Sequence, residues 1–136
     1  MATAQASAWQ TWNSGPFSME RKLGKNPGTV ILRFRGPFTM RDVYSCLEPT
    51  ALNRMLTLEP EPGEPPVTKN ILDLTECPYV DSSGLGIIVT HMVRCQKKGI
   101  KVIAAGISAR VKQVMQITKV DGIIQCCGCV DDAENC

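Results

Sequence analysis

The sequence predicts a single α/β domain, a mixed β-sheet of about 4–6 strands packed against about 3–5 helices. Three observations carry this. Residues 29–35 alternate cleanly between apolar and polar positions, the mark of a half-buried strand. Two apolar stripes with helical spacing follow, each preceded by residues suited to capping a helix. Short apolar runs separate them, so that strand, helix, strand, helix and strand succeed one another from Ile71 to Ile124. That order calls for right-handed crossovers and a largely parallel core. A chain of 136 residues can hold one such domain and one core.

The elements fall in order along the chain. Residues 1–14, with Trp9 and Trp12 among Ala, Gln, Ser and Thr, have no periodicity and are expected to form a flexible tail. The domain proper is expected over 15–130, with a second tail at 131–136. Phe17, Met19 and Leu23 occupy the odd positions of a short extended run, and Gly24-Lys25-Asn26-Pro27-Gly28 supplies turn residues. Beyond the turn Val30, Leu32 and Phe34 face one way, while Ile31, Arg33 and Arg35 face the other. The two runs make a hairpin.

Thr39-Met40-Arg41-Asp42 has the form of a capping box. The apolar positions Met40, Val43, Leu47, Ala51, Leu52, Met55 and Leu56 then suit a helix, which Pro49 must bend or divide in two. Residues 59–67 contain four prolines and read as a surface loop. The run 70–74 is a central strand. Asp81 and Ser82 suit a helix start, and Leu85, Ile88, Val89, Met92 and Cys95 form one apolar stripe. Thr90, His91, Arg94, Lys97 and Lys98 are placed on the other side, and Gly99 at the C′ position. A strand over 100–104 follows. Ser108 then caps a helix that buries Val111, Val114 and Met115, Gly122 ends it, and Ile123-Ile124 makes a last strand.

Composition excludes several functions. A formal charge of +2, with 43% apolar and 21% charged residues, gives no electrostatic footprint for nucleic acid. The apolar runs fall far short of the roughly 20 residues that span a bilayer. Residues 1–7 lack the basic flank and apolar region of a secretory signal, so a cytoplasmic protein without direct membrane insertion is expected. The seven cysteines are odd in number and scattered. Cys126, Cys127 and Cys129 cluster, with Cys136 further on, but one Cys-x-x-Cys spacing lacks the second pair of a structural zinc site. Reduced thiols, no metal and no cofactor are expected.

Between the strand at 70–74 and the helix after it stands Asp81-Ser82-Ser83-Gly84-Leu85-Gly86. The first N–H groups of a helix lack intrahelical acceptors, and the dipole there favours an anion. A phosphoryl group on a first-turn serine would therefore be tolerated while changing the surface by almost two charges. A catalytic serine is a poorer reading. His91, the only histidine, lies eight residues along the same helix, about 12 Å away. Gly84-Leu85-Gly86 lacks the third glycine of a dinucleotide fingerprint, and no Walker sequence occurs. The chain is not expected to be an enzyme, and Asp73, inside a strand, is expected to be a structural hydrogen-bonding residue.

From about Gly28 to Gln125 the sequence resembles the STAS domain of bacterial anti-sigma-factor antagonists. The matching segments are residues 28–36, 71–74, Tyr79-Val80-Asp81-Ser82-Ser83-Gly84-Leu85-Gly86, and Gly106-Ile107-Ser108-Ala109-Arg110-Val111, in order and in register. The resemblance implies a STAS-like fold and a switch. In that family an ATP-dependent serine kinase, which is also the anti-sigma factor, phosphorylates a serine of the motif. The unphosphorylated antagonist sequesters that kinase, and a serine phosphatase resets the switch. Ser83 is the implied phosphoacceptor and Ser82 the alternative, with Asp81, Ser82, Gly84 and Thr39 in the partner-docking surface. Thr39 stands where antagonists often carry an aspartate that contacts the kinase. A STAS adaptor or scaffold with another client, in a signalling assembly or a membrane transport system, is the second implied reading.

Overall fold

A computed structural model describes residues 10–14, 17–39 and 56–136, with side chains described over 17–39 and 56–136. Among the described residues six strands form one sheet in the order of the chain: β1 (Gln10–Ser14), β2 (Phe17–Leu23), β3 (Thr29–Arg35), β4 (Lys69–Glu76), β5 (Lys101–Ala105) and β6 (Gln125–Cys127). The first three are antiparallel neighbours, and β3 to β6 run parallel. The described helices are α1 (Ser82–Lys97), α2 (Ala109–Ile117) and α3 (Val130–Glu134). The expected mixed α/β sheet with its hairpin and parallel core is the observed one.

Alternation along β2, β3 and β4 gives the sheet two unlike faces. Phe17, Met19, Val30, Leu32, Phe34, Leu72 and Leu74 point into the main core. The same cluster takes Leu85, Ile88, Met92 and Cys95 from α1 and Val111 and Met115 from α2, so both crossover helices cover one face. The opposite face carries Ile31, Ile71, Ile103 and Ala105 under Ala133 of α3. Beside them runs a row of charges: Arg33 Nε pairs with Asp73 Oδ2 at 3.2 Å and Arg35 Nε with Glu76 Oε2 at 3.2 Å. Asp73 Oδ1 also accepts from the Thr75 hydroxyl at 2.6 Å and from the Thr75 N–H at 3.1 Å. It is the structural hydrogen-bonding residue its place in a strand suggested.

Several sequence expectations need correction. Gln10–Ser14 is an edge strand paired with β2, with Trp12 opposite Met19, and not tail; a polar strand held by backbone pairing leaves no apolar alternation to read. Residues 131–136 are not a tail either, since α3 occupies most of them and buries Ala133 and Glu134. The last strand lies at Gln125–Cys127 instead of Ile123-Ile124. Ile124 is a buried anchor in the turn before the strand, while Ile123 is exposed. Helix α2 ends at Ile117, well before Gly122, where Lys119 takes the left-handed conformation (φ 62°) usual for a glycine. The bent helix expected over residues 40–56 lies almost entirely outside the described residues.

His91 is buried, contrary to its placement on the solvated side of α1. Asn70 Nδ2 donates to the Val30 carbonyl at 2.9 Å, which leaves Asn70 Oδ1 as the acceptor for His91 Nε2–H at 2.7 Å. Burial, followed by the nearby Arg94 charge, depresses the His91 pKa from 6.5 to about 4. In the proline loop, Glu64 chelates the buried Arg21 of β2 at 2.9 Å, and that hydrogen bond holds its carboxyl below the usual 4.5.

Two outcomes follow from this core. Leu72→Ala should cost about 2–5 kcal/mol in urea unfolding, through the cavity left at a fully buried site. The His91 imidazole binds its proton more weakly folded than unfolded, so its contribution is complete above pH 6.5 and is lost as pH falls towards 4. Stability should fall by about 3 kcal/mol across that window. Urea midpoints at successive pH values should show the slope, and His91→Gln should flatten it above about pH 5, where Glu64 still keeps its full stabilisation.

Candidate partner-docking site at the start of helix α1

The carboxyl ends of β4 and β5 lie side by side, and the helices that follow them both begin at this end of the sheet. At the first, Asp81 is extended (φ −86°, ψ −179°), and its Oδ1 accepts from the Gly84 N–H at 2.8 Å. This is the N-cap that the sequence indicated. With Gly84 satisfied and the Leu85 N–H bonded to the Asp81 carbonyl, the N–H groups of Ser82 and Ser83 are left at the positive end of the helix dipole. No acidic residue stands in the first turn of α1. At the far end of the helix Gly99 adopts φ 75°, the expected C′ glycine.

The loop that delivers Asp81 is fixed from both sides. Phe38 pairs with Val80 in a parallel bridge, its N–H donating to the Tyr79 carbonyl at 2.9 Å. Its ring is buried, stacked on Phe17 at 4.6 Å and edge-on to Phe34 at 5.3 Å. From the other side Ser108, the N-cap of α2, accepts from the Val111 N–H and donates its hydroxyl proton to the Pro78 carbonyl at 3.1 Å. Arg110 lies over the Tyr79 ring, 4.6 Å from its centre.

Gly84 has a role the sequence did not disclose. A Cβ there would sit 2.3 Å from the Phe38 carbonyl oxygen, so only glycine lets the helix start approach that backbone. Gly84 is buried and supports the first turn of α1 from beneath. Gly86 is different: a Cβ on it would meet nothing within 4 Å. Ser82 is exposed, Ser83 is half-buried, and Thr39 follows Phe38 on the segment bridged to the same loop. Ser83 also lines a surface groove with Leu56, Gly86, Ile87, Thr90 and Arg94. The structure thus gathers Asp81, Ser82, Ser83, Gly84 and Thr39 at one end of α1. The supporting roles of Phe38, Pro78, Tyr79 and Arg110 were not legible in the sequence, because they rest on backbone contacts and ring stacking between distant segments.

The STAS domain family pattern matches residues 21–133, and the chain belongs to that family. No curated protein matches it in sequence. Its fold is similar to that of a candidate anti-sigma factor antagonist from Thermotoga maritima, with a TM-score of 0.68 and 18% identity, covering 86% of this chain and 92% of that one. It is also similar to the anti-sigma factor antagonist SpoIIAA of Bacillus, solved in unphosphorylated and phosphorylated forms. The unphosphorylated form gives a TM-score of 0.60 at 17% identity, covering 94% of each chain. A sulfate transporter family protein from Wolinella succinogenes aligns with a TM-score of 0.62 at 18% identity, over 82% of this chain and 84% of that one. Among the described residues no helix is long and apolar enough to cross a membrane.

Gly84→Ala should lower the melting temperature markedly, because the added methyl group displaces either Phe38 or the first turn of α1. Gly86→Ala, facing open space, should be neutral or slightly stabilising. Thermal unfolding of the pair, followed by circular dichroism, checks both.

Proposed function

We propose that this STAS domain is an anti-sigma-factor antagonist, a protein-binding switch with no catalytic role of its own. Unphosphorylated, it sequesters an anti-sigma serine kinase. Phosphorylation of Ser83 releases it, and a serine phosphatase restores the binding form. The supporting observation is the placement of Asp81-Ser82-Ser83-Gly84 on the first turn of α1, capped by Asp81 and with no acidic residue in that turn. An added phosphate brings about −1.5 to −2 charges next to N–H groups and the positive end of a helix dipole, which the fold accommodates. A partner docked over that turn must desolvate the dianion or meet it beside the Asp81 carboxylate. Release follows from that cost.

A second reading, a STAS adaptor for another client and without phospho-regulation, is favoured by Thr39, which occupies the place where antagonists often carry an aspartate. That client would be a signalling assembly or a membrane transport system. A soluble, cytoplasmic protein fits either reading.

The experiment compares variants by affinity for the cognate kinase, phosphorylation with ATP, and melting temperature. Ser83→Asp should lose at least about tenfold in affinity with an almost unchanged melting temperature. Ser83→Ala should bind and resist release, while Ser82→Ala should keep both behaviours. Loss of switching in Ser82→Ala alone would move the acceptor to Ser82. Full binding by both Ser83→Asp and Ser82→Asp would overturn the switch in favour of the adaptor.

A further inference from the structure

On the face of the sheet opposite α1, Cys127 of β6 and Cys136 beyond α3 bring their sulfurs to 3.1 Å. That is about 1 Å from the length of a disulfide bond, about 2.05 Å. The approach is built by the elements around it. Cys127 is held opposite Ala105 by the β5–β6 pairing. Residues 133–136 are gathered by Lys69 of β4, whose Nζ donates to the carbonyls of Ala133, Glu134 and Cys136 at 3.0, 3.1 and 3.0 Å. Glu134 in turn accepts from the Lys25 N–H and, at 3.3 Å, from Asn26 Nδ2, which ties the same turn to the β2–β3 hairpin. The β5–β6 pairing therefore fixes Cys127, while β4 and the β2–β3 hairpin fix where Cys136 lies.

We propose that Cys127 and Cys136 are a thiol-oxidation site that closes to an intramolecular disulfide, clasping α3 over the second face of the sheet. Cys136 is exposed and Cys127 half-buried, so a peroxide meets Cys136 first. The Cys127 thiol keeps its proton, its pKa pushed up to about 11 by the hydrogen bond to Cys136, then by burial and neighbouring negative charge. The Cys136 sulfur attacks one peroxide oxygen, the O–O bond breaks, and a sulfenic acid and water result. The Cys127 sulfur then displaces the sulfenic oxygen as a second water, forming the S–S bond. Two thiols lose two protons and two electrons, and hydrogen peroxide is reduced to two waters. Cys126 and Cys129 are also exposed, but among the described residues their sulfurs make no such contact with a second cysteine. Among the described residues no three His, Cys, Asp or Glu side chains are grouped to hold a metal ion.

The test treats the full chain, purified under reductant and desalted, with about one equivalent of hydrogen peroxide. Non-reducing mass spectrometry should show a loss of two hydrogen masses in the monomer. Cleavage at Asp131 separates Cys136 from the other three clustered cysteines, so a linked pair of fragments identifies its bond. The oxidised protein should melt about 5 °C higher, because the closed loop restricts the unfolded chain. Cys127→Ser and Cys136→Ser should each abolish the link and the shift, whereas Cys126→Ser and Cys129→Ser should keep both. A Cys126–Cys129 link, a dimer, or sulfinic acid without a cross-link would overturn the proposal. So would stoichiometric zinc in the freshly reduced protein.

Discussion

The Phe38 ring cannot leave the core without breaking a three-ring contact with Phe17 and Phe34, and its backbone cannot shift without moving Asp81. The chain leaves β3 at Gly36, and within two residues it is pinned by its ring on one side and by the Val80 bridge on the other. The Asp81 N–H points to the Phe38 carbonyl at 3.4 Å, and Gly84 closes on the same oxygen. One residue thus sets the height of the α1 start relative to the sheet. The motif serines are rigid in placement because of an aromatic residue forty-odd positions earlier.

The two faces of the sheet divide the work differently. The face under α1 and α2 is apolar almost throughout; of its buried polar groups, Asn70 and His91 satisfy each other and the β3 backbone, and Arg21 pairs with Glu64 of the proline loop. The other face mixes a small apolar cluster with the arginine–carboxylate row of Arg33, Arg35, Asp73 and Glu76. The Arg35–Glu76 pair is half-exposed and contributes little stability by itself, whereas Arg33 meets a buried Asp73; together they fix register across β3 and β4 where the strands slip by one residue. Helix α3 covers what the charges leave open, and it needs Lys69 and Glu134 because a five-residue helix cannot hold itself.

What the sequence disclosed follows from how each element is stabilised. β3, β4, α1 and α2 owe their existence to buried apolar side chains, and periodicity reports burial directly. Asp81, Ser108 and Gly99 were legible because caps are local, each needing only a side chain and a neighbouring N–H or one positive φ. β1 and β6 were missed or displaced because they are edge strands held by backbone pairing, which leaves no trace in hydropathy. His91 misled for a related reason. Its polarity argued for solvent, while its partner Asn70 sits on another element. The serines of the motif were found by position, but Gly84 revealed its purpose only once Phe38 was seen above it.

The strand order has a consequence for how the chain comes together. Every described strand pairs with its immediate predecessor, so among the described strands none must be inserted between two that have already joined. The β2–β3 hairpin is closed by a short turn and offers β3 as a template while residues beyond it are still being synthesised. β3 and β4 have the widest sequence separation of any paired strands, residues 36–68. After that, each helix returns the chain to the growing edge over a short distance. Assembly of the described sheet can then proceed in one direction during translation, from the hairpin outward.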